Sequence, residues 1–312
     1  MTLPLVIDTD PGIDDALALM LAARAERSRL VAVSVTYGNT TLDRAARNAR
    51  LVLARVAAAV PVFPGADRPL ARALVTAKET HGQEGLGDNE APPADPVAPS
   101  ATSILDAIRT TDQAVTLVTL GPLTNLALAL RRDAAFLRSH VARHVAMAGN
   151  VAAPGNSGGL AEFNVWCDPE AAAEVLAAGL GTELVGLDVT RRLVITAAAV
   201  ERLATSTDPD ARWLGRLLGF YVRFHHHFEG LPGAVINDPL AVALALEPSW
   251  GRAETMRLAV NLAAESGRGE LTAAPSPGSS VAVYRDVSLR PVHALLLRHL
   301  FGAWLTETDF RP

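Results

Sequence analysis

Apolar runs and amphipathic stretches alternate along the chain. Val6–Ile7 closes a short buried run beginning at Leu3, and Leu30–Tyr37 (L-V-A-V-S-V-T-Y) is a β-branched run; both read as strands. Ala16–Ala25 reads as a helix, and Thr41–Ala59 as another with Leu42, Ala45, Ala49, Val52 and Val56 on one face. Strand, helix, strand, helix in that order predicts a parallel sheet. The pattern breaks over 62–100, which is rich in proline and glycine, and resumes at Ile104–Arg109. Strands are expected at Ala114–Leu120, Val145–Met147 and Leu184–Leu187, with a helix at Leu123–Leu130 and another opened by Asp168-Pro169-Glu170. Helices Ala197–Ala204, Asp210–Phe228, Leu240–Leu246 and Val292–Phe301 follow, with strand-like Arg257–Leu262 and Val281–Arg285 among them. No internal repeat or clean linker interrupts the series. The expectation is one α/β domain over 1–312, an open, mostly parallel sheet flanked by helices.

The polar exceptions fall where strands end. In L-P-L-V-I-D-T-D-P-G-I-D-D-A (Leu3–Ala16), Asp8, Asp10, Asp14 and Asp15 are crowded around a Pro11-Gly12 turn. Like charges about 4 Å apart repel by about 1 kcal/mol in water and about 4 kcal/mol at a partly buried site. A divalent cation offsets that repulsion, and carboxylates without neighbouring His or Cys favour a hard ion, Ca²⁺ or Mg²⁺, over zinc. The competing reading is that Asp14 and Asp15 merely favour the positive end of a helix dipole; four carboxylates around Pro-Gly weigh toward the metal. Such a site at carboxyl ends of strands is where open α/β sheets place ligands.

Composition narrows the partners. Of 312 residues, 49% are hydrophobic and 20% charged, so a large core is expected. A net charge of −5 without a Lys/Arg-rich block argues against nucleic acid and favours a small ligand. No run reaches the roughly 18 apolar residues of a membrane span. One cysteine, Cys167, forbids an internal disulfide, and no leader pattern opens the chain, so a cytoplasmic location is expected.

Other candidates stand on loops. Asn39 follows the second strand, where it could also serve a turn. His81 lies in T-H-G-Q-E-G-L-G-D (Thr80–Asp88), either as a solvated loop histidine or as a ligand group on a lid. Asn156 falls in the glycine-rich loop Pro154–Gly159, and Glu162 and Asn164 in E-F-N. His225, His226 and His227 cannot share one helix face, so at most two meet one ligand.

D-T-D-P-G-I-D-D, G-N after the second strand, T-L-G-P-L-T-N, A-E-F-N before D-P-E-A-A, and N-D-P-L-A-V-A together resemble the inosine-uridine preferring nucleoside hydrolases. The match covers nearly the whole chain in order. The resemblance implies a Rossmann-like nucleoside hydrolase fold, a bound Ca²⁺ and hydrolysis of a ribonucleoside's N-glycosidic bond, releasing ribose and a purine or pyrimidine base. It also implies a homodimer or homotetramer. By the same resemblance Asp10, Asp15, Asp238 and the Leu120 carbonyl match the metal ligands, with Asp10 as general base. Asp14, Asn39, Asn156, Glu162 and Asn164 match ribose-holding groups, Met147 lines the sugar pocket, and His81 matches a histidine near the base. Asp8 matches a motif position outside the ligand set.

The chemistry requires an activated water, a fixed ribose and help for a departing base. The third requirement is where the chain departs from the pattern. The residue before Asp238 is Asn237, where many family members carry a histidine, and Asn has no proton to give. His81 or one of His225–His227 then supplies the acid, or hydrogen bonding replaces it. Two alternatives stand beside this reading. One is a Ca²⁺-stabilised nucleoside-binding protein without turnover. The other is a phosphoaspartate phosphatase using Asp8 and Asp10 as D-x-D, which also needs a lysine on a later strand in a chain whose sole lysine is Lys78.

Overall fold

The computed structural model describes residues 2–264 and 266–311. Among them the chain forms strands β1 (Leu3–Thr9), β2 (Ser28–Val35), β3 (Val62–Pro64), β4 (Val115–Thr119), β5 (Val141–Ala146), β6 (Thr182–Leu184), β7 (Val194–Thr196), β8 (Gly233–Val235), β9 (Gly251–Val260), β10 (Leu271–Pro275) and β11 (Ala282–Val287). Nine join in one sheet of order β10-β9-β11-β6-β5-β4-β1-β2-β3, and β7 pairs with β8 apart from it. From β11 to β3 every pairing is parallel; β9 runs antiparallel to β11 and β10. The sheet is mixed and mostly parallel, as the element order predicts.

Its strands are apolar at successive positions because both faces are covered. Leu5 and Ile7 of β1 join a cluster with the helices Ile13–Arg24, Leu42–Arg55 and Asp238–Leu246. Val6 faces the opposite cluster, built with Ser103–Ile108, Thr124–His140 and Pro169–Ala177. Adjacent strand residues point to opposite faces, so a strand with helices on both sides reads as a continuous apolar run. His144 of β5 is one of the polar exceptions: its ring lies between the Thr119 and Thr182 hydroxyls, 3.0 Å from each, on the two neighbouring strands. Burial pushes its pKa down to about 3, so it stays neutral.

The connectivity places the site. From β1 the chain moves outward through β2 to β3, then returns to β4 on the other side of β1 and continues outward to β5 and β6. The gap at the carboxyl ends of β1 and β4 is therefore a topological switch point, where two connections leave in opposite directions and open a crevice.

Several boundaries differ from the sequence expectation. β3 lies inside the stretch expected to be irregular; it has three residues, too few to show a period. β7, β8 and β10 were not expected as strands. Helix Thr124–His140 runs past Leu130 through a non-helical Asp133 (φ −157°, ψ 72°), because its polar continuation is helical without an apolar stripe. Leu187, expected to close a strand, opens the helical turn Leu187–Thr190. The helix expected over Asp210–Phe228 is α-helical over Pro209–Phe224 and widens to a π turn over His225–Glu229.

Candidate active site

β1 delivers Asp10 to the crevice, and the Pro11-Gly12 turn starts the helix Ile13–Arg24. Asp15, in its first turn, accepts the Gly12 N–H at 2.9 Å, the Asn39 Nδ2 at 2.7 Å and the Thr9 hydroxyl. Asp10 Oδ2 accepts the Asn39 backbone N–H at 2.6 Å, while its buried Oδ1 has no hydrogen-bond partner among the described residues. Gly38 and Gly121 make room for it. A Cβ at Gly38 would stand 2.0 Å from Asp10 Oδ2, and one at Gly121 2.6 Å from Oδ1.

Asp238 enters at the start of the helix Asp238–Leu246, and its carboxylate lies within 4.8 Å of those of Asp14 and Asp15. These three form a cluster able to hold a metal ion; Asp10 lies beside it, outside that group. Burial first, then the charges of neighbouring aspartates, pushes the Asp10 and Asp238 carboxyls well above the usual carboxylate range. The same causes raise Asp15 to about 6. The carboxylates of Asp15 and Asp238 face one another within 4.8 Å, and a cation between them would offset their repulsion. All the donors here are oxygens, so the set fits a hard divalent ion.

Asp14, Asn39, His81, Leu120, Met147, Asn156, Glu162, Asn164, Asn237 and Asp238 all line one pocket above this floor. Asp10 and Asp15, fully buried, lie just beneath. Asn164 Nδ2 donates to the Leu120 carbonyl at 2.7 Å and the Met147 carbonyl at 3.0 Å. A carbonyl oxygen has two lone pairs, so Leu120 retains one acceptor site. Glu162 caps the short helix Phe163–Cys167, accepting the N–H groups of Gly149 (2.8 Å), Asn164 (2.8 Å) and Val165 (3.2 Å). Burial still pushes its carboxyl up to about 7. Asn156 is exposed on its loop.

His81 is buried, not a solvated loop residue. It ends the short helix Lys78–His81, and its Nδ1 accepts the Ile13 N–H at 3.0 Å. Of the three adjacent histidines, His225 is buried in the pocket wall and His226 and His227 are exposed. His225 Nδ1 accepts the Val235 N–H at 3.3 Å. Burial pushes both His81 and His225 down to about 4. With Nδ1 accepting, each neutral ring carries its hydrogen on Nε2.

Asn237 supports Asp14, donating to its Oδ2 from the backbone N–H (3.1 Å) and from Nδ2 (3.3 Å). The Tyr221 hydroxyl donates to Asp14 Oδ1 at 2.7 Å and lies 3.4 Å from His81 Nε2. By the family resemblance Tyr221–Phe228 is a base-contacting helix region whose aromatics either stack on a base or pack; the Asp14 contact of Tyr221 is not among those expectations, although Tyr221 stands on the buried stripe of Pro209–Phe224 with Leu214, Leu217 and Leu218. A hydroxyl on such a stripe needs a partner, and that was the available signal. Asp8 accepts Asn125 Nδ2 at 2.8 Å, is wholly buried and is not part of the pocket lining. The D-x-D phosphatase reading therefore has its first aspartate tied to Asn125 inside the fold, away from a substrate.

Comparison with known proteins agrees with this geometry. A family model described as inosine-uridine preferring nucleoside hydrolase matches residues 5–293. Pyrimidine-specific ribonucleoside hydrolase RihA of Enterobacter sp. (strain 638) is 39% identical over 254 residues, covering 80% of each chain. RihA of Shewanella sp. (strain ANA-3) is 38% identical over 255 residues, 80% of this chain and 79% of its own. Among solved structures, the purine-preferring ribonucleoside hydrolase from Gardnerella vaginalis superposes with a TM-score of 0.87 at 24% identity, over 96% of this chain and 99% of its own, a likeness of fold. An inosine-guanosine nucleoside hydrolase gives 0.84 at 27% identity, over 96% and 98%. Five motifs in order, a carboxylate floor at the switch point and a family match over most of the chain converge: the chain belongs to the inosine-uridine preferring nucleoside hydrolase family, and is an N-glycosidase that hydrolyses ribonucleosides to ribose and base.

Proposed function

We propose that the enzyme prefers pyrimidine ribonucleosides and works with a Ca²⁺ ion held by Asp10, Asp15, Asp238 and the Leu120 carbonyl. The observation that carries the metal reading is the Asp10 Oδ1, a buried carboxylate oxygen without a partner beside three other carboxylates. Such an oxygen is costly unless something positive or a bound water engages it. When bound, the cation supplies positive charge for the crowded carboxylates and a water of lowered pKa. Asp10, with its Oδ1 free of a protein partner, would be the group to accept the proton of an attacking water. Asp14, Asn39, Asn156, Glu162 and Asn164 orient the ribose, and Met147 lines its apolar side. Asp14 is fixed for this by Tyr221 and Asn237. The unit proposed is a single domain over 1–312, assembled as a homodimer or homotetramer in the cytoplasm, with size-exclusion chromatography and light scattering as the check on assembly.

The pyrimidine preference is supported by the relatives named pyrimidine-specific at 38–39% identity. The leaving-group side of the pocket offers hydrogen bonds rather than a charged acid. Asn237 has no proton to give, and His81 and His225, held near 4, are neutral at pH 7. These rings donate hydrogen bonds from Nε2 without acting as imidazolium acids. Cleavage should therefore depend steeply on leaving-group pKa, with p-nitrophenyl riboside cleaved far faster than inosine. A panel of uridine, cytidine, inosine, adenosine and p-nitrophenyl riboside, with metal content measured on the same sample, tests the reading. Purines cleaved faster than uridine and cytidine would overturn the preference.

The sign of the histidine shifts gives a pH prediction. A depressed pKa means that the charged ring is lost above about 4, so neither His81 nor His225 deprotonates between pH 5.5 and 8. The kcat/KM profile should show no descending limb in that range; one centred near 6.5 would identify a protonated histidine acid.

The room around Asp10 is equally testable. Gly121→Ala, which puts a methyl group against Asp10 Oδ1 and Thr36, should lower kcat by about a hundredfold. Circular dichroism should be unchanged. Near-normal turnover would mean that the reaction tolerates a displaced Asp10.

A further inference from the structure

Asn48 is fully buried on the helix Leu42–Arg55, outside the pocket lining. Its Nδ2 donates to the Pro11 carbonyl at 3.0 Å, in the turn that carries Asp10 into the site, and to the Glu84 carbonyl at 2.8 Å, in the loop that follows His81. Its Oδ1 accepts Arg47 Nε at 3.1 Å and Nη2 at 2.9 Å. Arg47, also buried, donates from Nη1 to the Glu84 carboxylate (2.7 Å) and the Pro92 carbonyl (2.8 Å), and from Nη2 to the Glu84 carbonyl (3.0 Å). Loop and turn are in direct contact. A Cβ at Gly85 would meet Asn48 Nδ2 at 2.8 Å and Pro11 O at 3.2 Å, and one at Gly12 would meet His81 Nδ1 at 2.3 Å.

The geometry points to Arg47 and Asn48 as positioning residues that lock the His81 loop to the Asp10–Asp15 turn and so hold His81 against the base side of the pocket. This rests on the reading above that His81 faces the departing base. The chain from 82 to 100 forms no helix or strand, so side-chain tethers fix it, and those of Arg44, Asn89, Asp43 and Arg223 lie farther from the Pro11 turn. A buried amide whose Nδ2 donates to two separate backbone segments fixes their spacing, and its removal takes the donor from the Pro11 carbonyl and leaves the Glu84 carbonyl to Arg47 alone. The guanidinium reaches a carboxylate, two carbonyls and an amide oxygen through one rigid plane, an arrangement that lysine, with a single nitrogen, cannot reproduce. His81 acts through Nε2, 3.4 Å from the Tyr221 hydroxyl that holds Asp14. A misplacement of about 1 Å at such a contact can cost about a hundredfold in rate.

The test compares wild type, Asn48→Leu, Arg47→Lys, His81→Ala and the double variant Asn48→Leu/His81→Ala, all as metal-loaded enzyme. kcat and KM are measured on uridine and p-nitrophenyl riboside. Asn48→Leu and Arg47→Lys should each lose roughly ten- to a hundredfold in kcat/KM on uridine, while the activated riboside, which needs no help in leaving, is largely spared. The double variant should be no worse than His81→Ala alone, since residues acting through one another are not additive. Additive losses, or equal losses on both substrates, would overturn the proposal in favour of a merely structural role. If His81→Ala itself spares uridine, the base-side reading of His81 fails separately. Hydrogen exchange at the Ile13 amide, which donates to His81, then decides the brace: faster exchange in Asn48→Leu supports it, and unchanged exchange refutes it.

Discussion

Asp10→Asn is expected to lower kcat by about 10²–10⁴-fold, the usual worth of a general base, with a further loss if metal affinity falls. The argument starts from its surroundings. Asp10 is wholly buried, one oxygen accepts the Asn39 N–H, and the other has no protein partner. Asparagine keeps an oxygen in place and the shape almost unchanged, but it cannot take a proton from water. Ribose-analogue binding should persist, because Asp14, Asn39 and Asn164 are untouched. Metal content measured on the same variant separates the two roles: calcium retained with kcat lost assigns the base, whereas calcium lost assigns a ligand. Near-normal turnover would place the base elsewhere. Asp14, which stands in the geometric metal cluster where Asp10 does not, would be the next candidate.

Removing the proposed Ca²⁺ with a chelator should abolish hydrolysis and lower Tm, by much more at pH 8 than at pH 5. The sign follows from the raised carboxyls. Without the ion, Asp10, Asp15 and Asp238 bind protons more tightly folded than unfolded. Their folded form is therefore favoured at low pH and loses stability as pH rises through the folded values, for Asp15 between about 4 and about 6. A bound dication holds the same groups ionised and removes that penalty, and its affinity grows as protons cease to compete. At a thousandfold excess over Kd the ion would contribute about 4 kcal/mol. Re-added Ca²⁺ should restore both readouts. Full activity in metal-free protein, or a Tm drop independent of pH, would sink the calcium assignment.

The candidate site was legible in the sequence to the extent that its chemistry is local. Asp10, Asp14 and Asp15 are neighbours in the chain, so their crowding and its need for a cation could be read before any fold was known. The parallel sheet was legible for a similar reason: strands covered on both faces must be apolar throughout, and helices between them must carry an apolar stripe. Short elements escaped because three residues, as in β3, β7 and β8, carry too little period to read. Asn48 was within reach. It shares the apolar face of Ala45, Ala49 and Val52, and a polar residue there demands a partner.

What the sequence could not supply was everything set by distance along the chain. Tyr221 reaches Asp14 across 207 positions, and Asn48 reaches Glu84 across 36. His81, in a stretch that reads as a polar loop, is buried because the Ile13 amide and Tyr221 close over it. Its neutrality follows from that burial and from nothing local. The sequence by itself determined the fold class, the family and the carboxylate floor, because hydrophobic period and crowded charge are properties of neighbouring residues. Tertiary structure alone decided which histidines are buried, which oxygen of Asp10 is left free and what holds the His81 loop, because desolvation and hydrogen-bond satisfaction depend on groups that only folding brings together.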